Sequence, residues 1–480
     1  MADYKTQGNI QHRKEDILST DTTYGSIDRD QGRDNSESHK PTKTSFTANQ
    51  KWTLFSISLA NFSDFVSYSI LAPFFPEEAN KMGMSDSVVG LVFGCFALVM
   101  FITSPVFGKF LTKIGVKFMF IAGSFTCGVC CIIYGFLIRL DKGTEFIVFC
   151  FVVRSIEAVG SAASATAAFA IIAKTFPENI ATTLGVLEIF SGLGFMLGPL
   201  IGGYLYQVGG FTLPFLVLGI FTIVITLCNI YILPRQQDEG TLKSGSMTEF
   251  LKIPSVIMTS LCVLAGSVAL SFLDPTLAKH LNQFNFNSTT VGLMFLIMAG
   301  SYTLSAFFWG WITDKKNIPK LLMIIGNIGC GAAYLYLGPT PLFNVKTELW
   351  MVIFSLVLLG LAVGCALVPT FTDMIGTARW YGMQDNFVTY GIVSGVFNGL
   401  FSLGSFIGPT VGGAMEQAYG FSWAASVMAL IYFTVTTLLI IFCLWEYQCG
   451  KGRRIATHRE NVIVVPPDLT NDINSPLLNP

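Results

Sequence analysis

From Trp52 onward the chain alternates long apolar stretches with short polar breaks. Each stretch is about twenty residues, enough to cross the roughly 30 Å hydrocarbon core of a bilayer as one helix. The first six run Trp52–Pro76, Ser87–Leu111, Val116–Ile138, Phe146–Thr175, Ala181–Tyr206 and Phe211–Leu233. The second six run Pro254–Leu281, Thr290–Thr313, Lys320–Gly338, Leu349–Thr372, Phe387–Gln417 and Phe421–Trp445. The pattern predicts an all-α membrane protein with two six-helix halves, residues 51–233 and 254–446, joined by a polar linker at 234–253. Residues 1–50 and 447–480 are polar and lack the apolar core of a signal peptide, so they read as disordered tails.

Composition agrees with a lipid environment. Charged residues make up 12% of the 480 and hydrophobic ones 52%, whereas a soluble domain carries about 25% charged residues. A net charge of -1 supplies no basic excess for nucleic acid. Ten of the eleven cysteines fall in apolar runs without the paired spacing zinc requires, so no metal or cofactor is expected. Cys449, beside Lys451, Arg453 and Arg454, has the setting of a palmitoylation site. The histidines are His12, His39, His280 and His458, none of them central to a span. No nucleophile–base pair suggests an enzyme.

Basic residues orient the helices, because positive charge is retained on the cytosolic side. Lys109, Lys113 and Lys117 surround the second connection, Lys315, Lys316 and Lys320 the eighth, and Arg453, Arg454 and Arg459 follow the last helix. With an even number of helices, both tails share that side. The opposite face then carries Asn287-Ser288-Thr289, an acceptor pattern for N-glycosylation at Asn287.

An internal repeat appears at an offset of 210 positions. Leu193-Gly194, Gly198-Pro199, Gly202-Gly203, Gln207 and Gly210-Phe211 recur as Leu403-Gly404, Gly408-Pro409, Gly412-Gly413, Gln417 and Gly420-Phe421. Duplicated halves are the arrangement of a transporter that rocks one half against the other. The glycines allow close helix approach and the prolines a bend, so these stretches read as packing sites with a shared hinge or sliding contact.

Acids and bases inside the spans are costly unless they face a partner or water, at about 3 kcal/mol or more each. Arg154 and Glu157, three residues apart on the fourth helix, can pair on one face; they read either as a structural bridge or as a proton-coupling pair. Asp64 lies about halfway along the first predicted helix, with Tyr68 one turn on, and Asp274 is its counterpart in the repeat. Glu188 on the fifth helix has Asn398 as its counterpart. Asp64, Tyr68, Glu188, Asp274 and Asn398 could line a central cavity, where an acid with an aromatic ring suits an organic cation. Asp64 and Asp274 could also carry protons. Local helix-to-helix hydrogen bonding is the alternative for the acids.

At this point the chain resembles the major facilitator superfamily, whose fifth helix carries Gly-x-x-x-Gly-Pro-x-x-Gly-Gly, matched at Gly194 to Gly203. The connection from Gly108 through Gly115 to Lys117 resembles that family's Gly-x-x-x-Asp-Arg-x-Gly-Arg-Lys gating motif, with Thr112 at the acidic position. The second copy, from Gly310 to Asp314, keeps the acid, so any cytosolic gating charge pair is expected to be stronger in the second half. Asp64 nine residues before Pro73, and Asp274-Pro275, are similar to the vesicular amine transporters. The acids that monoamine members carry in the tenth and eleventh helices align with Leu367 and Asn398, a departure. Tyr68–Pro76, Gly94–Leu98, Leu187–Gly194 and Val368–Phe371 look like the polyamine branch. The resemblance implies proton antiport of spermine, spermidine or related amines into acidic vesicles; a monomer is expected. A broader exporter of organic cations or drugs and a non-transporting scaffold or sensor are the rival readings. In the tails, Tyr24-Gly-Ser-Ile27 and Pro476-Leu477-Leu478 after Asp472 fit sorting signals for adaptor proteins.

Overall fold

The computed structural model describes residues 46–71, 73–141, 143–233, 246–286, 288–339 and 347–448. Both tails with their sorting patterns, Cys449, most of the linker, and Asn287 lie outside these residues. Among the described residues no strand occurs. The first half contains α1 (Ala48–Ser69), α2 (Phe75–Lys81), α3 (Asp86–Ile114), α4 (Val116–Phe136), α5 (Thr144–Thr175), α6 (Ile180–Gly209) and α7 (Thr212–Ile232). A short α8 (Met247–Leu251) lies in the segment expected to be linker, held by the fully buried Phe250. The second half contains α9 (Pro254–Leu281), α10 (Ser288–Lys316), α11 (Pro319–Leu337), α12 (Leu349–Trp380), α13 (Phe387–Tyr419) and α14 (Phe421–Glu446).

Eleven of these helices are long and apolar enough to cross a membrane. The twelfth crossing is α1, whose 22 residues would extend about 33 Å. Asn61, Asp64 and several serines make it too polar to join the eleven by composition. It starts in a capping box, with Thr47 Oγ1 accepting from the Gln50 amide and the Gln50 side chain accepting from the Thr47 amide. It ends at Ser69 instead of continuing to Pro76, because the Pro73 ring would clash with the carbonyl four residues earlier. Pro76 then sits in the first turn of α2, where its missing N–H costs nothing. Asp64 therefore stands five residues from the end of α1, not at its middle.

The glycine-proline stretches of α6 and α13 pack inside each half, not between the halves as a sliding contact would require. A Cβ on Gly194 or Gly198 would meet Phe62 or Ser69 of α1, and one on Gly202 would meet Ile70 at its C-cap. One on Gly404, Gly408 or Gly412 would meet Ser267, Val268 or Phe272 of α9. Pro199 and Pro409 lie inside their helices without ending them. The halves meet instead along α3 with α13 and α6 with α10, aided by α5 with α13.

Those two seams are tightest at the end bearing Lys109, Lys113, Lys117, Lys315 and Lys316, here called the basic end. A Cβ on Gly108 would collide with the Gly391 carbonyl, and one on Gly310 with the Ala181 carbonyl. Gly90 and Gly292, near the other ends of α3 and α10, have nothing within 4 Å of a Cβ position. Near that opposite end each half ties α6 or α13 back to its own helices. Tyr206 donates to Glu78, and this bond, with Lys81, holds the Glu78 carboxyl below its usual range. In the second half Lys279 lies 3.4 Å from Glu416.

Candidate functional site

Two acids and a base crowd the face between α1 and α5. Ser164 Oγ donates to Asp64 Oδ2 at 2.8 Å, while Asp64 Oδ1 is buried with no hydrogen-bond partner among the described residues. Arg154 and Glu157 form the pair that their spacing allows, Nη1 to Oε2 at 2.8 Å, and both are buried. Ser67 Oγ donates to the second Glu157 oxygen at 2.6 Å. The Arg154 guanidinium lies 4.3 Å from the centre of Phe96 and 5.8 Å from that of Tyr68. Its Nε and Nη2 have no hydrogen-bond partner among the described residues, so the ring faces supply part of its counter-charge. Tyr68 also stacks on Phe195 at 6.2 Å; the ring expected to receive a substrate cation is already engaged by the protein's own.

Asp274 projects from the other half. Its side chain is accessible although protein surrounds it, and it lies close enough to Tyr68 for the two to interact electrostatically. Tyr68, one turn on from Asp64 along α1, and Asp274 thus approach each other across the two halves. Glu188 is one step away in a small cavity lined by Phe169, Leu184, Tyr302, Leu367, Val368, Phe371 and Phe397. Tyr302 of α10 donates its hydroxyl to Glu188 Oε2 at 3.0 Å, across the seam. Asn398 is buried and turned back on its own helix, donating to the Ser394 carbonyl at 2.9 Å.

The basic end closes through backbone chemistry. Asp314 of α10 accepts from the Ala181 amide at 3.1 Å and the Thr182 amide at 2.7 Å, capping α6 from the opposite half. The cap is needed because Asn179, at the helix N-cap position, makes no capping bond. The charge pair expected at Asp314 is therefore a carboxylate on a helix N-terminus, where the macrodipole favours it. In the equivalent seam α13 caps itself: Asn386 Oδ1 accepts from the Thr389 amide at 3.0 Å. That self-capping leaves nothing for an acid at Thr112 to do. Gly115, at φ +92°, ends α3 and starts α4 in a conformation that side chains rarely adopt. Between this end and the acids, Phe169, Phe371 and Phe397 pack together with centroids 5.2–5.5 Å apart.

Several charged and polar residues escaped the sequence reading. Tyr302 carries no charge and lies 114 residues from Glu188. Asp373 is buried and accepts from Thr259 Oγ1 at 2.6 Å. Lys320, one of the basic residues that orient the eighth connection, is buried against Glu446 and donates to Ser255 Oγ at 2.8 Å. Among the described residues, no group of three or more His, Cys, Asp or Glu is placed to hold a metal ion.

Two six-helix halves with acids held between them, tight at one end, form the architecture of a secondary transporter. The chain belongs to the major facilitator superfamily, whose family description it matches over residues 57–383 and again over 256–467; it is a membrane transporter, not an enzyme. It is 40% identical over 424 residues to the human MFS-type transporter SLC18B1, covering 87% of this chain and 92% of that protein. It is 24% identical over 360 residues to the human synaptic vesicular amine transporter, covering 74% of this chain and 66% of that protein. The solved structure of the human organic anion transporter MFSD10 (TETRAN) superposes with a TM-score of 0.67 at 16% identity, covering 81% of this chain and 99% of that one. That last likeness speaks to the fold alone.

Proposed function

We propose that this transporter exchanges organic amines, of polyamine type, for protons across the membrane of an acidic vesicle or lysosome, with its basic end and both tails in the cytosol. The observation that carries the reading is Asp64: a carboxylate with one oxygen buried and unpartnered, one helical turn from Tyr68, the ring that lies within electrostatic range of Asp274 in the other half. An ammonium group or a proton satisfies such an oxygen, and the two compete for it. That competition is what exchange requires. Likeness to a synaptic vesicular amine transporter supports the amine and the vesicle; the motifs shared with the polyamine branch support the substrate type. Several separated acids, Asp64, Glu188 and Asp274, suit a chain with several ammonium groups. Each pH unit across the membrane supplies about 1.4 kcal/mol per exchanged proton.

The test is uptake of labelled spermidine into proteoliposomes with an imposed pH gradient. Wild type accumulates the amine and Asp64→Asn, at equal reconstituted protein, loses at least roughly tenfold in rate, as the loss of one charge-assisted contact of about 1.5–3 kcal/mol implies. Uptake that ignores the gradient, or an unimpaired Asn variant, defeats the reading.

A further inference from the structure

Glu188 and Asp64 sit at different depths. α1 and α6 run side by side in the same direction, and their hydrogen bonds set the register. Asn61 Nδ2 donates to the Leu187 carbonyl at 3.4 Å and to Ser191 Oγ at 2.5 Å, and Ser69 Oγ donates to the Gly194 carbonyl at 3.3 Å. Glu188 is thus level with Asn61. Asp64 lies three residues, and Tyr68 seven residues, further from the basic end, offsets of about 5 Å and about 10 Å at 1.5 Å per residue.

The surroundings differ as much as the depth. At Asp64 the neighbours are hydroxyls and charges: Ser164, Ser67, Glu157 and Arg154. At Glu188 the cavity walls include four aromatic rings, Phe169, Tyr302, Phe371 and Phe397, closed by aliphatic side chains. Aromatic faces attract a cation, and the carboxylate among them gives it a formal counter-charge. Glu188 Oε2 is taken by Tyr302, while Oε1 accepts no hydrogen bond among the described residues. The free space is close to that of one water-sized group. A primary ammonium head is of that size; a trimethylammonium is not.

We propose that the aromatic-walled cavity at Glu188 is a second ammonium subsite, which takes the far primary ammonium of a long diammonium substrate whose near ammonium rests at Asp64 and Asp274. The proposal rests on the amine reading above and adds chain length as the property selected. With carbon–carbon bonds of about 1.5 Å, the shortest diamines fall short of both stations. Longer chains reach both, passing their methylenes along the apolar wall.

The experiment uses the full chain in proteoliposomes with a pH gradient. Initial uptake rates are compared for α,ω-diamines from short to long, each against the primary monoamine of equal length. The diamine-to-monoamine ratio rises with length in wild type, and trimethylating both ends of the long diamine abolishes the advantage. Glu188→Gln lowers the long-diamine ratio roughly tenfold or more, the value of one charge-assisted hydrogen bond. Phe371→Leu, which removes a ring without touching charge, lowers the same ratio and carries the test if the Gln variant does not fold. Amine uptake with a ratio flat in chain length, or a length dependence that survives both substitutions, overturns the subsite. If wild type takes up no amine at all, it is the amine reading that fails.

Discussion

Arg154 and Glu157 are fully desolvated together, and removing one partner of such a pair costs about 3–5 kcal/mol because the other is left charged and alone. Either single charge removal should therefore lower the yield of folded protein. The double reversal, Arg154→Glu with Glu157→Arg, restores the pair and should restore yield. It should not restore proton-driven uptake, because Arg154 is stacked on Phe96 and Tyr68, and Glu157 lies within electrostatic range of Asp64. Recovery of both yield and uptake, measured by size-exclusion profile and proteoliposome assay, would reduce the pair to a brace. At this scale the sequence was informative wherever burial is expensive: Asp64, Arg154, Glu157, Glu188 and Asp274 each stand out as a charge in an apolar run. It was silent on Tyr302, whose hydroxyl adds no charge and whose partner is distant in the chain. Asp373 was missed for another reason. The apolar run of the tenth span ends at Thr372, which leaves the acid in a connection, whereas α12 continues to Trp380 and buries it.

The two seams that close the basic end use different caps, and this separates their mutational behaviour. Asp314→Asn weakens an N-cap made across the seam, where losing a cap costs about 0.5–2 kcal/mol. It should shift the protein toward states open at the basic end, without unfolding either half. Gly108→Val inserts a side chain where the Gly391 carbonyl and Gly395 Cα leave no room; it should prevent closure and abolish transport at normal protein yield. Hydrogen exchange at the first turn of α6 reads both outcomes: faster exchange is expected in each variant. Unchanged protection in Asp314→Asn would mean that the cap is replaceable by other acceptors. The helices themselves were legible because their apolar runs match a bilayer's thickness. Their ends were less so, since proline sterics stopped α1 early and no comparable signal marked the extension of α12. The glycine repeat revealed duplication, but a glycine pattern does not say which neighbour fills the gap, and here it is the partner helix within each half.

Across the whole molecule the asymmetry is between a tight basic end and looser seams at the other, where Gly90 and Gly292 have open space beside them. Asp274→Cys should react with a membrane-impermeant thiol reagent added on the side away from the basic end, and react much more slowly with reagent added on the basic side. Equal labelling from both faces would contradict the closure at Gly108 and Gly310. That asymmetry was beyond the reach of the sequence, because duplicated halves describe every stage of a rocking cycle equally well. One detail of the closed end bears on its opposite state. Asp314 is held by two amides of α6 only while the halves meet. Once they part, the same carboxylate stands bare at the widened mouth, among the lysines of that end. On the amine reading, a cation arriving from bulk water then finds at that rim a carboxylate released from its amides, in addition to the exposed Glu178 and Asp385. The residue that bolts the entrance when it is shut becomes its beacon when it is open.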